Sequence, residues 1–499
     1  MSATPAVLEL TIAEIHARMA AGSLSAADLV TAYLRRIEAF DRQGPALNAI
    51  VNLNAAAHAE AVALDRAQAE RGRPGGPLHG IPLLVKDNID VAGMPLTNGL
   101  AAFRDYRPPR DATVIARLRA AGAIVLGKTT LPDFASSWWA YSSLSGETRN
   151  PYDLARDPGG SSAGSGAAIA ANFAACGLGT DCGGSIRVPA SCTGLVGIRG
   201  TPGLVSRVGS GPLVTLQDTV GPMTRSVADA ARLYDVMAGF DAADELAGAA
   251  VAARPPSAYS AALDVDGLRG ARLGLVTNAM GADSDPYAAP VNAVVRAACD
   301  AIRAAGGEVI EIGIPDLARH LADTSLYVNC SKHAINSYLL ARPSLPLRSL
   351  NQIIEQRAYH PMLELLEACS AGPDLPDYDP LHFRRLAARE HFARSLLHLF
   401  GRARLDAMIY PTLQVVPPTR AQLSERVWTT LTFPTNTLIA SQSWLPAASV
   451  PAGFTAQDLP VGLELLVRPY DETGLFRLAY AFEQATLARR APAATPELP

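Results

Sequence analysis

Charge is scarce in this sequence, and what there is nearly cancels. Asp, Glu, Lys and Arg make up 18% of 499 residues, with 47 acids against 43 bases and a formal net charge of −4. About 25% is usual for a soluble chain. No run of five like charges occurs and no basic face is apparent, so a nucleic-acid partner is not expected. Cysteine is sparse too. The six are Cys176, Cys182, Cys192, Cys299, Cys330 and Cys369. None forms a CxxC pair, which argues for buried free thiols in a reducing compartment. HExxH is absent, as is any His/Asp cluster at ligand spacing, so neither a metal nor a cofactor is expected. No window of 18 apolar residues exists. Glu9, Glu14, His16 and Arg18 interrupt the first segment, which therefore does not read as a secretory leader. A cytoplasmic location and no membrane partner are the expectation, and the sequon at Asn329 reads as chance.

What is present is apolar. AVILMFWYC residues account for 49% of the chain, enough for a large core. Residues 8–72 carry helix signals, including capping boxes at Thr11–Glu14 and Ser25–Asp28. After Gly75 the texture changes to short apolar runs between glycines and prolines, alternating with helical stretches. That alternation predicts an α/β fold: a mixed, twisted central sheet covered by helices on both faces. The chain divides by texture into a helical region at 1–75, a core at 76–320, a helical cap or variable substrate region at 321–400, and a return to the core sheet at 401–499. All four belong to one large catalytic domain. The Ala-rich stretch at 240–268, with Pro255 and Pro256, reads as a surface excursion.

Two motif matches are discounted on physical grounds. Gly122–Thr129 fits the phosphate-loop pattern GxxxxGK[ST], but its middle is Ala-Ile-Val-Leu, which favours a strand over a phosphate-wrapping loop. Gly160–Gly164 fits GxSxG, which would make Ser162 the nucleophile of an α/β-hydrolase esterase. That alternative needs a histidine, and His320, His333, His360, His382, His391 and His398 all lie far downstream in undistinguished helical settings.

Three other pieces carry chemistry together. Lys86 ends the apolar run Gly80-Ile-Pro-Leu-Leu-Val-Lys, although a lone lysine is usually a surface group. Ser161 and Ser162 follow two glycines, which by themselves suggest no more than a helix N-cap. Ser185 follows Asp181-Cys182-Gly183-Gly184, where paired glycines allow successive N–H groups to point into one cavity. The plainer reading there is a turn held by an Asp181–Arg187 ion pair.

Taken together, these residues resemble the amidase signature enzymes. GPLHGIPLLVKDN, GAIVLGKTTLPDFA, TRNPYD, DPGGSSAGS, GTDCGGSIRVPASCTGLVG and PVGLELLVRPYDE look like family blocks in family order. The resemblance implies a serine amidohydrolase cleaving a carbon–nitrogen acyl bond through an acyl-enzyme. Lys86 falls on the triad lysine, Ser161 on a cis-serine proton relay and Ser185 on the nucleophile. The N–H groups of Cys182, Gly183, Gly184 and Ser185 fall on the oxyanion hole, with Asp181 and Arg187 as structural support. Trp138, Trp139 and Tyr141 lie on a segment that borders the active site by resemblance and, with Ser162, are candidates to bind substrate; ordinary core packing is an equal reading of the three aromatics. The substrate is expected to be a small amide, anilide, carbamate or ester, handled by a monomer or homodimer. One branch of the family, the amidase subunit of a transfer-RNA amidotransferase, is an alternative. Departures occur at Ala163, at GIRGTPG from Gly197 and at ASQSWLP from Ala440; none touches the triad.

Overall fold

The computed structural model describes residues 6–253, 255 and 257–498; Pro256 of the expected surface excursion lies outside the described residues. The two capping boxes form as expected. Thr11 opens helix Ile12–Ala20 and Ser25 opens helix Ala26–Arg36, each exchanging bonds with the acid three residues on. The apolar faces of these helices are buried. The region expected to be helical to residue 72 is interrupted, however, by a short strand, Ile50–Leu53. The Asp41 carboxylate, on the preceding helical turn, accepts the N–H of Ala49 at 2.6 Å and of Ile50 at 3.3 Å and so fixes the start of this strand. Ile50, Asn52 and Leu53 then pair with Thr129, Lys128 and Gly127 at the sheet edge, with a register shift at Val51. Four residues are too few to show a period of two.

An 11-stranded sheet organises the chain. In spatial order its strands are Ile50–Leu53, Ile124–Thr129, Pro82–Lys86, Cys176–Asp181, Thr219–Thr224, Val196–Arg199, Ala447–Phe454, Pro460–Leu466, Ala407–Pro411, Arg272–Val276 and Glu308–Ile312. Pro82–Lys86 runs parallel to both its neighbours, whereas the strands from Thr219 to Ala407 pair antiparallel. The sheet is mixed and flanked by helices, as the alternation predicted. The central strands are buried along their whole length. Continuous apolar runs such as Leu83-Leu84-Val85 are what strands covered on both faces require. The phosphate-loop lookalike is itself strand Ile124–Thr129.

Two features of this sheet place the site. Lys86 ends strand Pro82–Lys86, and Asp181 ends the adjacent parallel strand Cys176–Asp181. Ligands of α/β sheets bind at the carboxyl ends of parallel strands. Helices Tyr327–Leu340, Leu350–Glu355 and Glu364–Ser370 build a second apolar cluster with Trp138, Trp139 and Leu213 beside that end, while Phe392, Leu396 and Phe400 of helix His382–Ala403 belong to a third.

Candidate active site

Lys86 is fully buried, with its ammonium reaching polar groups at the end of its apolar strand. Nζ lies 2.7 Å from Ser161 Oγ and 2.9 Å from Thr180 Oγ1. Thr180 Oγ1 also accepts from Asn88 Nδ2 at 3.0 Å. Burial is the main reason that the lysine is pushed down from 10.5 to about 7; the carboxylates of Asp181 and Asp218 oppose the shift without cancelling it. A neutral amine is therefore well populated near pH 7.

Ser161 stands on a Gly160–Ser161 peptide that is cis, as the family resemblance implied. The two glycines before it are sterically required. A Cβ on Gly160 would lie 3.0 Å from the Ser137 carbonyl oxygen, and Gly159 has φ +76°. Ser162 donates its N–H to the Ser185 carbonyl at 3.0 Å, which brings the two serine segments side by side. Its hydroxyl donates to Thr180 O at 3.3 Å and is fully buried. Ser162 therefore opens helix Ala163–Ala170 and braces the nucleophile loop. It does not face the cavity, which corrects the expectation that it binds substrate and leaves the GxSxG alternative without an exposed hydroxyl.

Ser185 opens on a small cavity of about 30 Å³, walled by Trp138, Leu213, Tyr327, Leu365 and Leu431. Its hydroxyl has no hydrogen-bond partner among the described residues. The loop in front of it is anchored by Asp181, whose carboxylate accepts from Gly184 N–H at 2.8 Å and Ile186 N–H at 3.3 Å. Burial alone would raise Asp181, but the Arg187 and Arg199 guanidiniums outweigh it and hold the carboxyl at about 2. Arg187 Nε lies 3.1 Å from Asp181, as the ion-pair reading required; Arg187 also pairs with Glu464.

This anchoring corrects the expected oxyanion hole at one position. The Gly184 N–H is spent on Asp181, because the carboxylate caps the turn that starts the next helix. Gly184 takes φ +135°, and a Cβ there would collide with the Thr437 side chain. The N–H groups of Cys182, Gly183 and Ser185 have no acceptor among the described residues. The Cys182 thiol is buried against Asp218, which together raise it well above its ordinary value. Both effects disfavour its thiolate.

The three aromatic expectations separate. Trp138 reaches the cavity. Trp139 does not: it is 1% exposed and packs edge-on against Phe433 at 4.6 Å. Tyr141 stacks on His360 at 5.0 Å beneath the Arg420 guanidinium, also outside the cavity. Adjacent side chains on one segment point apart, so only one of the tryptophans can line the opening. Sequence reasoning also missed Thr180, Asn88, Arg199 and Glu464. Thr180 and Asn88 sit inside quoted blocks, but nothing in their spacing shows that both would converge on Lys86.

A buried lysine, a serine beside it and a cavity-facing serine under free N–H groups define a serine amidase. The Amidase family profile matches residues 28–476, and the chain belongs to that family of carbon–nitrogen hydrolases. It is similar to the peptide amidase of Stenotrophomonas maltophilia, with 37% identity and a TM-score of 0.87 over 98% of this chain and 99% of that one. It is also similar to a glutamyl-tRNA(Gln) amidotransferase subunit of Gloeobacter violaceus, 34% identical over 503 residues, covering 98% of this chain and 99% of that protein. A bacterial aryl acylamidase of the same family shares 26% identity with a TM-score of 0.82, over 96% and 97% of the two chains. Among the described residues, no helix is long and apolar enough to cross a membrane.

Proposed function

We propose that this chain acts alone, as a monomer or homodimer in the cytoplasm, and hydrolyses small to medium amides with an apolar or aromatic acyl or amine group. Anilides, carbamates and esters fall within the same chemistry. The carrying observation is the 2.7 Å contact between a lysine depressed to about 7 and Ser161, beside a Ser185 that faces an apolar cavity.

Neutral Lys86 takes the Ser161 proton as Ser161 takes that of Ser185. The freed Ser185 oxygen attacks the carbonyl carbon. The N–H groups of Cys182, Gly183 and Ser185 hold the oxyanion, each worth roughly 3–4 kcal/mol in the transition state. The proton returns through Ser161 to the leaving nitrogen, the C–N bond breaks and an acyl-Ser185 ester remains. Water, deprotonated along the same path, releases the acid and restores the serine. Asp181 and Arg187 keep the loop in shape.

The amidotransferase relatives favour a second reading, a glutaminase working with partner chains. At about 30 Å³ the cavity beside Ser185 encloses no more than the reacting group, so the assay separates the two readings. A panel of chromogenic anilides, esters and carbamates, with glutamine alongside, tests both readings. Unaided hydrolysis of an anilide by the purified chain, abolished in Ser185→Ala with the fold intact, is expected. Near-wild-type rates in Ser185→Ala, or release of ammonia from glutamine only, would refute the proposal.

A further inference from the structure

One residue removed from the Ser185 loop, joined to it through Gln217, lies a buried cation with no carboxylate to balance it among the described residues. Arg389 comes from helix His382–Ala403, is 1% exposed and has no ion-pair partner among the described residues. An unpaired buried charge is expensive, so its neighbours are informative. Its guanidinium donates to Gln217 Oε1 at 2.5 Å, to Thr324 O at 3.4 Å and to Ser441 O at 3.2 Å. The Trp444 ring lies 4.9 Å from it. Ser441 and Trp444 belong to ASQSWLP, the block that departs from the commoner family pattern.

With its oxygen turned to Arg389, the Gln217 amide must present its NH2 to the other side. Nε2 donates to Cys182 O at 2.6 Å and to Tyr327 Oη at 2.8 Å. In a trans peptide the C=O and the following N–H point in opposite directions. Gripping the Cys182 carbonyl from behind therefore aims the Gly183 N–H forward, towards the cavity. The preceding peptide is held the same way: Arg199 Nη1 donates to Asp181 O at 2.7 Å, which aims the Cys182 N–H. From Arg389 through the Gln217 amide and the Cys182–Gly183 peptide, the dipoles align with their positive ends towards the site. Such chains polarise one another in a low-dielectric interior.

We propose that Gln217 and Arg389 are positioning residues that aim and polarise the Gly183 oxyanion donor, linking the helical region 321–400 to the rate of acyl transfer. This rests on the reading of Ser185 as nucleophile. Neither residue touches substrate.

The test uses Gln217→Glu, Gln217→Leu, Arg389→Lys and Arg389→Met, assayed with an anilide and referred to folded protein by circular dichroism. Gln217→Glu keeps an oxygen for Arg389 and so keeps the fold, but it cannot donate to Cys182 O. Loss of a whole oxyanion donor lowers kcat by about 10²–10³. Loss of its aim should lower kcat about tenfold to a hundredfold, with KM within about threefold. A trifluoromethyl ketone, whose adduct bears the same oxyanion, should bind more weakly by the factor lost in kcat. Arg389→Lys should retain more rate than Arg389→Met. Wild-type kcat in folded Gln217→Glu, or a loss expressed in KM alone, would overturn the inference. Ser185→Ala run in parallel separates the failures: if it stays active the site reading is wrong, and if it is dead while Gln217→Glu is unimpaired only this inference falls.

Discussion

Replacing Lys86 with methionine should make the protein slower and, at neutral pH, more stable. Methionine has a similar length and no charge. In the unfolded chain a lysine binds its proton up to about pH 10.5, whereas burial brings the native group down to about 7. A tenfold change in proton affinity corresponds to about 1.4 kcal/mol, so forcing the protonated group into this site costs roughly 5 kcal/mol at pH 7 and below. That penalty shrinks as pH rises from about 7, because only the unfolded lysine is then protonated, and it is gone by about 10.5. The substitution also removes a hydrogen-bond partner from Ser161 and from Thr180, about 1 kcal/mol each. Lys86→Met should therefore gain roughly 3 kcal/mol at pH 6 in denaturant unfolding, and the gain should reverse towards pH 10. The rate moves the other way. Wild-type kcat/KM on an anilide should rise about tenfold per pH unit up to about 7 and then level off, as neutral Lys86 accumulates. Lys86→Met should lose about 10²–10⁴ of it. A wild-type rate flat from pH 5 to 8, or a stability difference between the two proteins that ignores pH, would refute the assignment of Lys86 as a buried base.

Other substitutions test the corrected site. Cys182→Ala should keep kcat within about threefold in the anilide assay, because only the backbone of Cys182 serves the proposed oxyanion hole. Trp138→Ala should change KM and substrate preference across the panel, since its side chain walls the cavity. Trp139→Ala should instead lower stability by about 3–5 kcal/mol in denaturant unfolding and leave substrate preference unchanged, as expected for a buried core aromatic.

Much of the candidate site was legible because its chemistry is local. Lys86 follows an uninterrupted apolar run, and such a run folds as a buried strand wherever it sits. The glycines before Ser161 and Ser185 mark places where a Cβ would collide with backbone or with Thr437. The capping boxes at Thr11 and Ser25 likewise need only four residues to form. The aromatic segment was half legible. Its apolar character was plain, but which of Trp138 and Trp139 meets the cavity depends on where Phe433 packs, almost 300 residues away.

By itself, then, the sequence determined the strand that buries Lys86, the glycine-hinged serines and the class of reaction these residues support. Only the tertiary structure decided which N–H groups remain free around Ser185. Asp181 takes the Gly184 donor from three residues back, whereas Arg199 holds the Asp181 carbonyl from a strand, Gln217 holds the Cys182 carbonyl from a turn, and Arg389 holds Gln217 from a helix far along the chain. For the Cys182 and Gly183 donors, direction depends on what stands opposite the preceding carbonyl, and that is set by how the sheet and helices pack, not by neighbours in sequence.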